Sequence, residues 1–143
     1  MPKPDPALLE EARYPFHCLI ETRYRDLDSN LHINNGVMAS LLEEGRVRFH
    51  RASNFGGTSQ GEGITAFVVS AAIEYLGEAR YPEPLEFHLG LLRIGSSSYD
   101  LGQLVTQGGE ALVFARVTLV FSKNGKSYPI PDHHREEAKE WML

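Results

Sequence analysis

Residues 36–54 are the one long stretch of this chain written in helical period, and nearly everything after them is written in strand period. Met38, Leu42, Gly45, Phe49 and Ala52 recur at three- and four-residue steps, and Val37 and Leu41 widen the stripe. Glu43, Arg46, His50 and Arg51 lie off it. The pattern predicts a core-facing helix of about five turns. A strand precedes it: over Phe16 to Tyr24, Phe16, Cys18, Ile20 and Thr22 alternate with His17, Leu19, Glu21 and Arg23. Four strands follow it. Ile64 to Leu76 is rich in β-branched and aromatic residues, with Phe67, Val69, Ala71 and Ile73 on one side and Val68 and Ala72 on the other. Leu85, Phe87, Leu89 and Leu91 alternate with Glu86, His88 and Gly90. Tyr99, Leu101 and Gln103 begin a third run, and Ala111 to Phe121 is the most apolar. The turns between the later strands are short, at Gly95-Ser96-Ser97-Ser98, Gly108-Gly109 and Asn124-Gly125. Hairpin-length connections force antiparallel pairing. A single long helix with an apolar stripe must be covered by that sheet. The expectation is therefore an α+β fold, a five-stranded antiparallel sheet curved around one central helix. One face of so small a sheet stays open, which anticipates a second subunit.

The ends frame a single domain over 1–143, with an N-terminal arm at 1–14 and a C-terminal helical tail at 132–143, Asp132 as its N-cap. At 143 residues the chain can bury a substantial core. A formal charge of -5 argues against a nucleic-acid scaffold, which needs a basic surface. The single cysteine, Cys18, excludes an internal disulfide and fits a reducing compartment. No run approaches the ~18 apolar residues of a membrane span, and residues 1–14 lack the apolar core of a signal peptide. A cytoplasmic location is expected.

The densest chemistry lies just ahead of the helix. Arg25-Asp26-Leu27-Asp28-Ser29-Asn30-Leu31-His32-Ile33-Asn34-Asn35 holds two carboxylates, a histidine and three amides. Such residues bond their own backbone and favour turns and caps, so this is a loop that ends at a helix N-terminus. Unpaired N–H groups and the helix dipole there favour negative charge. A carboxylate beside such a terminus can do acid–base or nucleophilic chemistry on a carbonyl.

The order of elements and the string Asp26-Leu27-Asp28-Ser29-Asn30-Leu31-His32-Ile33-Asn34-Asn35 resemble the hotdog-fold thioesterases, above all the 4-hydroxybenzoyl-CoA thioesterase-like acyl-CoA hydrolases. Their loop reads D-x-D-x-x-G-H-V-N-N, and Glu43-Glu44 sits where their helix carries E-E or E-R. Ile73 to Leu76, Arg80 to Glu86 and Leu92 to Ser98 extend the likeness to about residues 15–131. This chain departs from the pattern at Leu31, where glycine is usual. The same loop resembles the D-x-N-x-H of plant acyl-ACP thioesterases through Asp28, Asn30 and His32. Their strand motif E-Y-x-x-E-C is matched by Glu74-Tyr75-Leu76-Gly77-Glu78 but fails at Ala79.

The resemblance implies an acyl-CoA thioesterase with water as co-substrate and no cofactor, coenzyme A entering only as part of the substrate. It also implies a homodimer or a dimer of dimers (a homotetramer) with the site at the subunit interface. Asp28 becomes the catalytic carboxylate, either base or nucleophile. The backbone N–H groups of Asn35 and Gly36 become the oxyanion site. His32 either polarises the thioester, positions Asp28, or bonds loop carbonyls. Asn30 is a turn residue or a water holder. Asn34 caps the helix or touches substrate, and Glu43 and Glu78 are supporting carboxylates. Asp26 reads as structural, paired with Arg23 or Arg25. Three patterns fail. Gly57-Thr58-Ser59-Gln60-Gly61 fits G-x-S-x-G but has a helix before it and a strand after, the reverse of a nucleophile elbow. His133-His134 lack metal-ligand spacing, so no metal site is expected. No P-loop or dinucleotide fingerprint is present. Three rival readings remain: the same fold acting on acyl carrier protein, a non-catalytic acyl-CoA-binding domain, and a hotdog dehydratase, whose His and Asp usually stand in another arrangement.

Overall fold

A computed structural model describes residues 3–56 and 63–143; Gly57 to Gly61, with Ser59, lies outside them. Strand β1 (Phe16–Ile20) precedes the long helix α1 (Asn35–Ser53), and β2 (Ile64–Tyr75), β3 (Leu85–Ile94), β4 (Ser98–Gln107) and β5 (Glu110–Lys123) follow. They form one antiparallel sheet in the order β1-β3-β4-β5-β2, and the two-residue β6 (Lys126–Ser127) pairs with the end of β5. A short helix α2 (Asp132–Ala138) and a 3-10 turn (Lys139–Trp141) complete the chain. This is the hotdog arrangement, a curved half-barrel holding one long helix. Leu85, Phe87, Leu89 and Leu91 of β3 are fully buried together with Met38, Leu42 and Phe49 of α1 in one core cluster. Their alternation with Glu86, His88 and Gly90 sends those three residues to the opposite, outer face.

A polar seam lies among the apolar contacts. Gln103, fully buried, donates to the Leu42 carbonyl at 2.9 Å and accepts from Arg46 Nη1 at 3.0 Å. His50 Nε2 meets the Tyr99 hydroxyl at 2.9 Å. Burial, reinforced by the Arg46 charge, pushes the His50 imidazole down to about 4.

Four details correct the sequence reading. β1 stops at Ile20 rather than Tyr24, because Tyr24–Asp26 closes a 3-10 turn whose Asp26 carboxylate accepts from the Arg23 amide. The helix stripe ends on buried Ser53, not Ala52, which is exposed. In β2 the register slips between Val68 and Ser70, so Val69 is a bulge. Phe67 therefore does not share a face with Ala71 and Ile73, as strict alternation predicts. α2 is capped by Pro131, and Asp132 is its first residue, where a carboxylate still suits the helix dipole.

The outer face is also less open than expected. The arm makes two 3-10 turns, Pro6–Leu9 and Glu11–Arg13, and is closed by buried Tyr14, whose hydroxyl donates to the Leu8 carbonyl at 2.6 Å. At the other end, Leu143 N–H donates to Leu91 O at 2.9 Å and Met142 bridges Leu91, covering the β3 edge beyond β1. Gly90 permits this packing: a Cβ there would meet Pro15 Cδ at 2.8 Å and collide with Leu143. Among the described residues no helix is long and apolar enough to cross a membrane.

Candidate active site

The loop ahead of α1 is a miniature hairpin. Leu27 and Ile33 bridge at its base. Asp28 N–H donates to His32 O at 2.9 Å, and Leu31 N–H returns to Asp28 O at 3.0 Å. Three residues span the turn, and the last, Leu31, sits in the left-handed region at φ 61. This is the three-residue hairpin loop whose third position favours glycine. The loop holds its geometry in spite of leucine, and the Leu31 side chain stands 67% exposed.

The fold separates the two aspartates by role. Asp26 is 1% exposed and serves as a brace. Its Oδ1 takes Arg23 Nη2 at 2.9 Å, its Oδ2 takes the Arg23 amide at 2.9 Å, and its carbonyl takes Asn34 N–H at 2.9 Å. The partner is Arg23, one of the two that the sequence allows. Asp28 is only half-buried. Its Oδ1 accepts from Asn30 N–H at 2.9 Å and His32 N–H at 3.3 Å. Among the described residues its Oδ2 has no hydrogen-bond partner. One oxygen is thus pinned and the other is left for a ligand. Asn30 takes part through its backbone as a turn residue.

His32 and Glu78 meet: Nδ1 lies 3.3 Å from Glu78 Oε2, with both side chains partly exposed. The junction is set by the backbone, since Ile33 N–H donates to Ala79 O at 3.0 Å. The contact orients the imidazole through Nδ1. Asn34 is the helix N-cap, its Oδ1 accepting from Gly36 N–H at 2.8 Å. That bond commits the Gly36 amide, so of the two expected oxyanion donors Asn35 N–H is the one at the helix start that the cap leaves open. Glu43 makes no hydrogen bond to the loop among the described residues. It is exposed and stands two turns along α1, about 12 Å of helix from Asn35. Tyr75, which the sequence reading did not single out as a site residue, reaches from β2 to donate its hydroxyl to the Asn35 carbonyl at 3.2 Å. Its signal was the E-Y-x-x-E string that also contains Glu78.

Comparison with known proteins follows the same lines. Among curated proteins, none matches the sequence. Similar solved structures include a thioesterase from Thermus thermophilus complexed with coenzyme A and Zn, 25% identical, with a TM-score of 0.77 over 88% of this chain and 92% of that one. A thioesterase superfamily structure from Jannaschia sp. is 17% identical, with a TM-score of 0.81 over 90% and 93% of the two chains. The PA5185 protein from Pseudomonas aeruginosa is 21% identical, with a TM-score of 0.80 over 92% and 94%. These last two likenesses are likenesses of fold. The family model of the thioesterase-like superfamily matches residues 22–141, from just after β1 through the C-terminal turn, and the chain belongs to that superfamily.

Proposed function

We propose that this protein is an acyl-CoA thioesterase that uses Asp28 without a cofactor. Membership of the superfamily supports thioester hydrolysis as the class of reaction. The observation that carries the residue assignment is the unequal Asp28 carboxylate, with Oδ1 held by two backbone amides and Oδ2 without a partner among the described residues. Oδ2 either takes a proton from the attacking water, or attacks the thioester carbonyl itself, expelling the thiolate and leaving an anhydride that water then hydrolyses. Asn35 N–H stabilises the oxyanion at the positive end of α1, and His32, oriented by Glu78, polarises the thioester. Coenzyme A as the thiol is supported by the similar Thermus structure, which binds it. A screen of short, long, branched and aromatic acyl-CoAs, read by released thiol, tests the assignment. Turnover of none of them contradicts it, and tight acyl-CoA binding without turnover marks a binding domain instead.

The His32–Glu78 contact, with Asp28 and Asn30, also suits an acyl carrier protein thioester, since this set matches the plant pattern. Kinetics on one acyl group carried by coenzyme A and by acyl carrier protein distinguish the two. The site is proposed to be completed by a second copy of the chain. β2 is an edge strand, and Phe67, Val68, Val69, Tyr75 and Leu76 on or beside it are all exposed. An unpaired apolar edge is a hazard that proteins cover. An isologous dimer pairing two β2 edges covers it. Sedimentation should give at least twice 16.0 kDa, and a fully active monomer would sink the shared site.

A further inference from the structure

On the outer face of the sheet, turned away from α1, three metal-ligating side chains converge from separate parts of the chain. His88 and Glu86 come from β3, and Glu11 comes from the arm. Their ligand atoms all lie within 4.8 Å of one another. His88 is 5% exposed, and its Nε2 lies 3.1 Å from Glu11 Oε2 and 3.7 Å from Glu86 Oε2. We propose that Glu11, Glu86 and His88 bind a divalent transition-metal cation that fastens the N-terminal arm to the sheet.

Charge and hydrogen-bond counting both support the assignment. Two carboxylates face one imidazole, and among the described residues no lysine or arginine pairs with either of them. Nε2 can offer a single N–H, while three oxygens surround it, the third being Thr106 Oγ1 at 3.0 Å. The Thr106 hydroxyl is already spent on Glu11 Oε2, at 3.1 Å. Glu86 is left with no donor at good distance. A cation at this point would balance both carboxylates and take the Nε2 lone pair, leaving no ligand atom without a partner.

The spacing fits a metal of zinc's size. Bonds of about 2.1 Å at tetrahedral angles place neighbouring ligand atoms about 3.4 Å apart, between the two observed separations. An imidazole with two carboxylates is a borderline donor set, suited to Zn²⁺ and its neighbours rather than to a soft ion. The glutamate side chains are 41% and 38% exposed, which leaves a path for the ion and a place for water as the fourth ligand. Thr106 orients Glu11 from behind, as outer partners of metal ligands do. His17, paired with His88 across β1 and β3 with its ring 6.4 Å away, is the nearest further imidazole. The sequence hides this grouping, since Glu11 lies far from the other two along the chain.

The assignment is independent of the catalytic reading, because none of these residues belongs to the candidate active site. Chelator-treated protein is titrated with Zn²⁺ by calorimetry, and its thermal midpoint is followed with and without the ion. One Zn²⁺ per chain should bind and raise the midpoint. Glu11→Gln, a partly exposed change on the arm that the core does not need, should weaken binding at least tenfold and abolish the rise, and Glu86→Gln should do the same. No zinc-dependent rise in the wild-type protein, or an equal rise in both variants, overturns the proposal. The second result would place the ion at other histidines.

Discussion

Asp28 and His32 hold each other through the backbone in both directions: Asp28 N–H donates to His32 O at 2.9 Å, and His32 N–H donates to Asp28 Oδ1 at 3.3 Å. The carboxylate and the imidazole are therefore delivered by one small rigid turn rather than by two independent loops. The positions of both side chains depend on the residue between them that bends the chain, Leu31.

Leu31 occupies the left-handed region, which costs a non-glycine residue roughly 1–2 kcal/mol. Leu31→Gly removes that strain and adds unfolded-state entropy of similar size, so stability should stay within about 1 kcal/mol of wild type. Leu31→Val, β-branched at positive φ, should lose about 1–2 kcal/mol. Urea midpoints check both. A large loss in Leu31→Gly would mean that the leucine side chain packs instead of standing in solvent.

In the proposed mechanism Glu78 acts through His32. Removing it in Glu78→Ala should lower kcat about tenfold, about 1.4 kcal/mol of barrier, with little change in KM. Glu78→Asp should recover part of the loss, because the charge is kept. An unchanged kcat in Glu78→Ala would reduce the contact to a surface pair, which is worth little on its own.

Much of the fold and of the loop is legible in the sequence. Asn34 is the cap that its position predicts, the helix spans nearly its expected residues, and the hairpin turns fall at their glycines. The misses have physical causes. A bulge at Val69 is invisible in a run that is apolar on both faces, because no polar residue marks the change of phase. Whether Ala52 or Ser53 closes the helix stripe depends on what the last turn touches, since Ser53 uses its hydroxyl to accept from Phe55 N–H at 3.2 Å. The commitment of the Gly36 amide follows from the rotamer of Asn34, which no spacing encodes. The Glu11–His88 contact joins residues that only the sheet brings together.

Acid should destabilise the fold in two separate windows. The folded-state value of His50, pushed down to about 4 by burial, lies below the ordinary value near 6.5, so the unfolded chain binds the proton more readily. This contribution is full above about pH 6.5 and is lost as pH falls toward 4, about 3 kcal/mol in all. His88, lowered mainly by burial, adds in the same direction. Asp100 behaves differently. Burial pushes its carboxyl up, but hydrogen bonds from Arg93, Thr118 and Arg116 outweigh this and hold it below its ordinary value, so its contribution is lost only below about pH 3.8. Denaturant midpoints between pH 7 and 4.5 should fall less steeply in His50→Gln than in wild type. Equal slopes would contradict the buried neutral His50.

The most direct test of the account compares the two aspartates of one loop on a single acyl-CoA substrate. Asp28→Asn keeps the shape of the side chain and removes its charge, so it should fold normally and lose at least about 100-fold in kcat, about 2.7 kcal/mol of barrier. Asp26→Asn disturbs the buried brace to Arg23, so it should lose stability while the folded fraction retains most of its turnover. An active Asp28→Asn beside a folded but inactive Asp26→Asn would contradict the assignment.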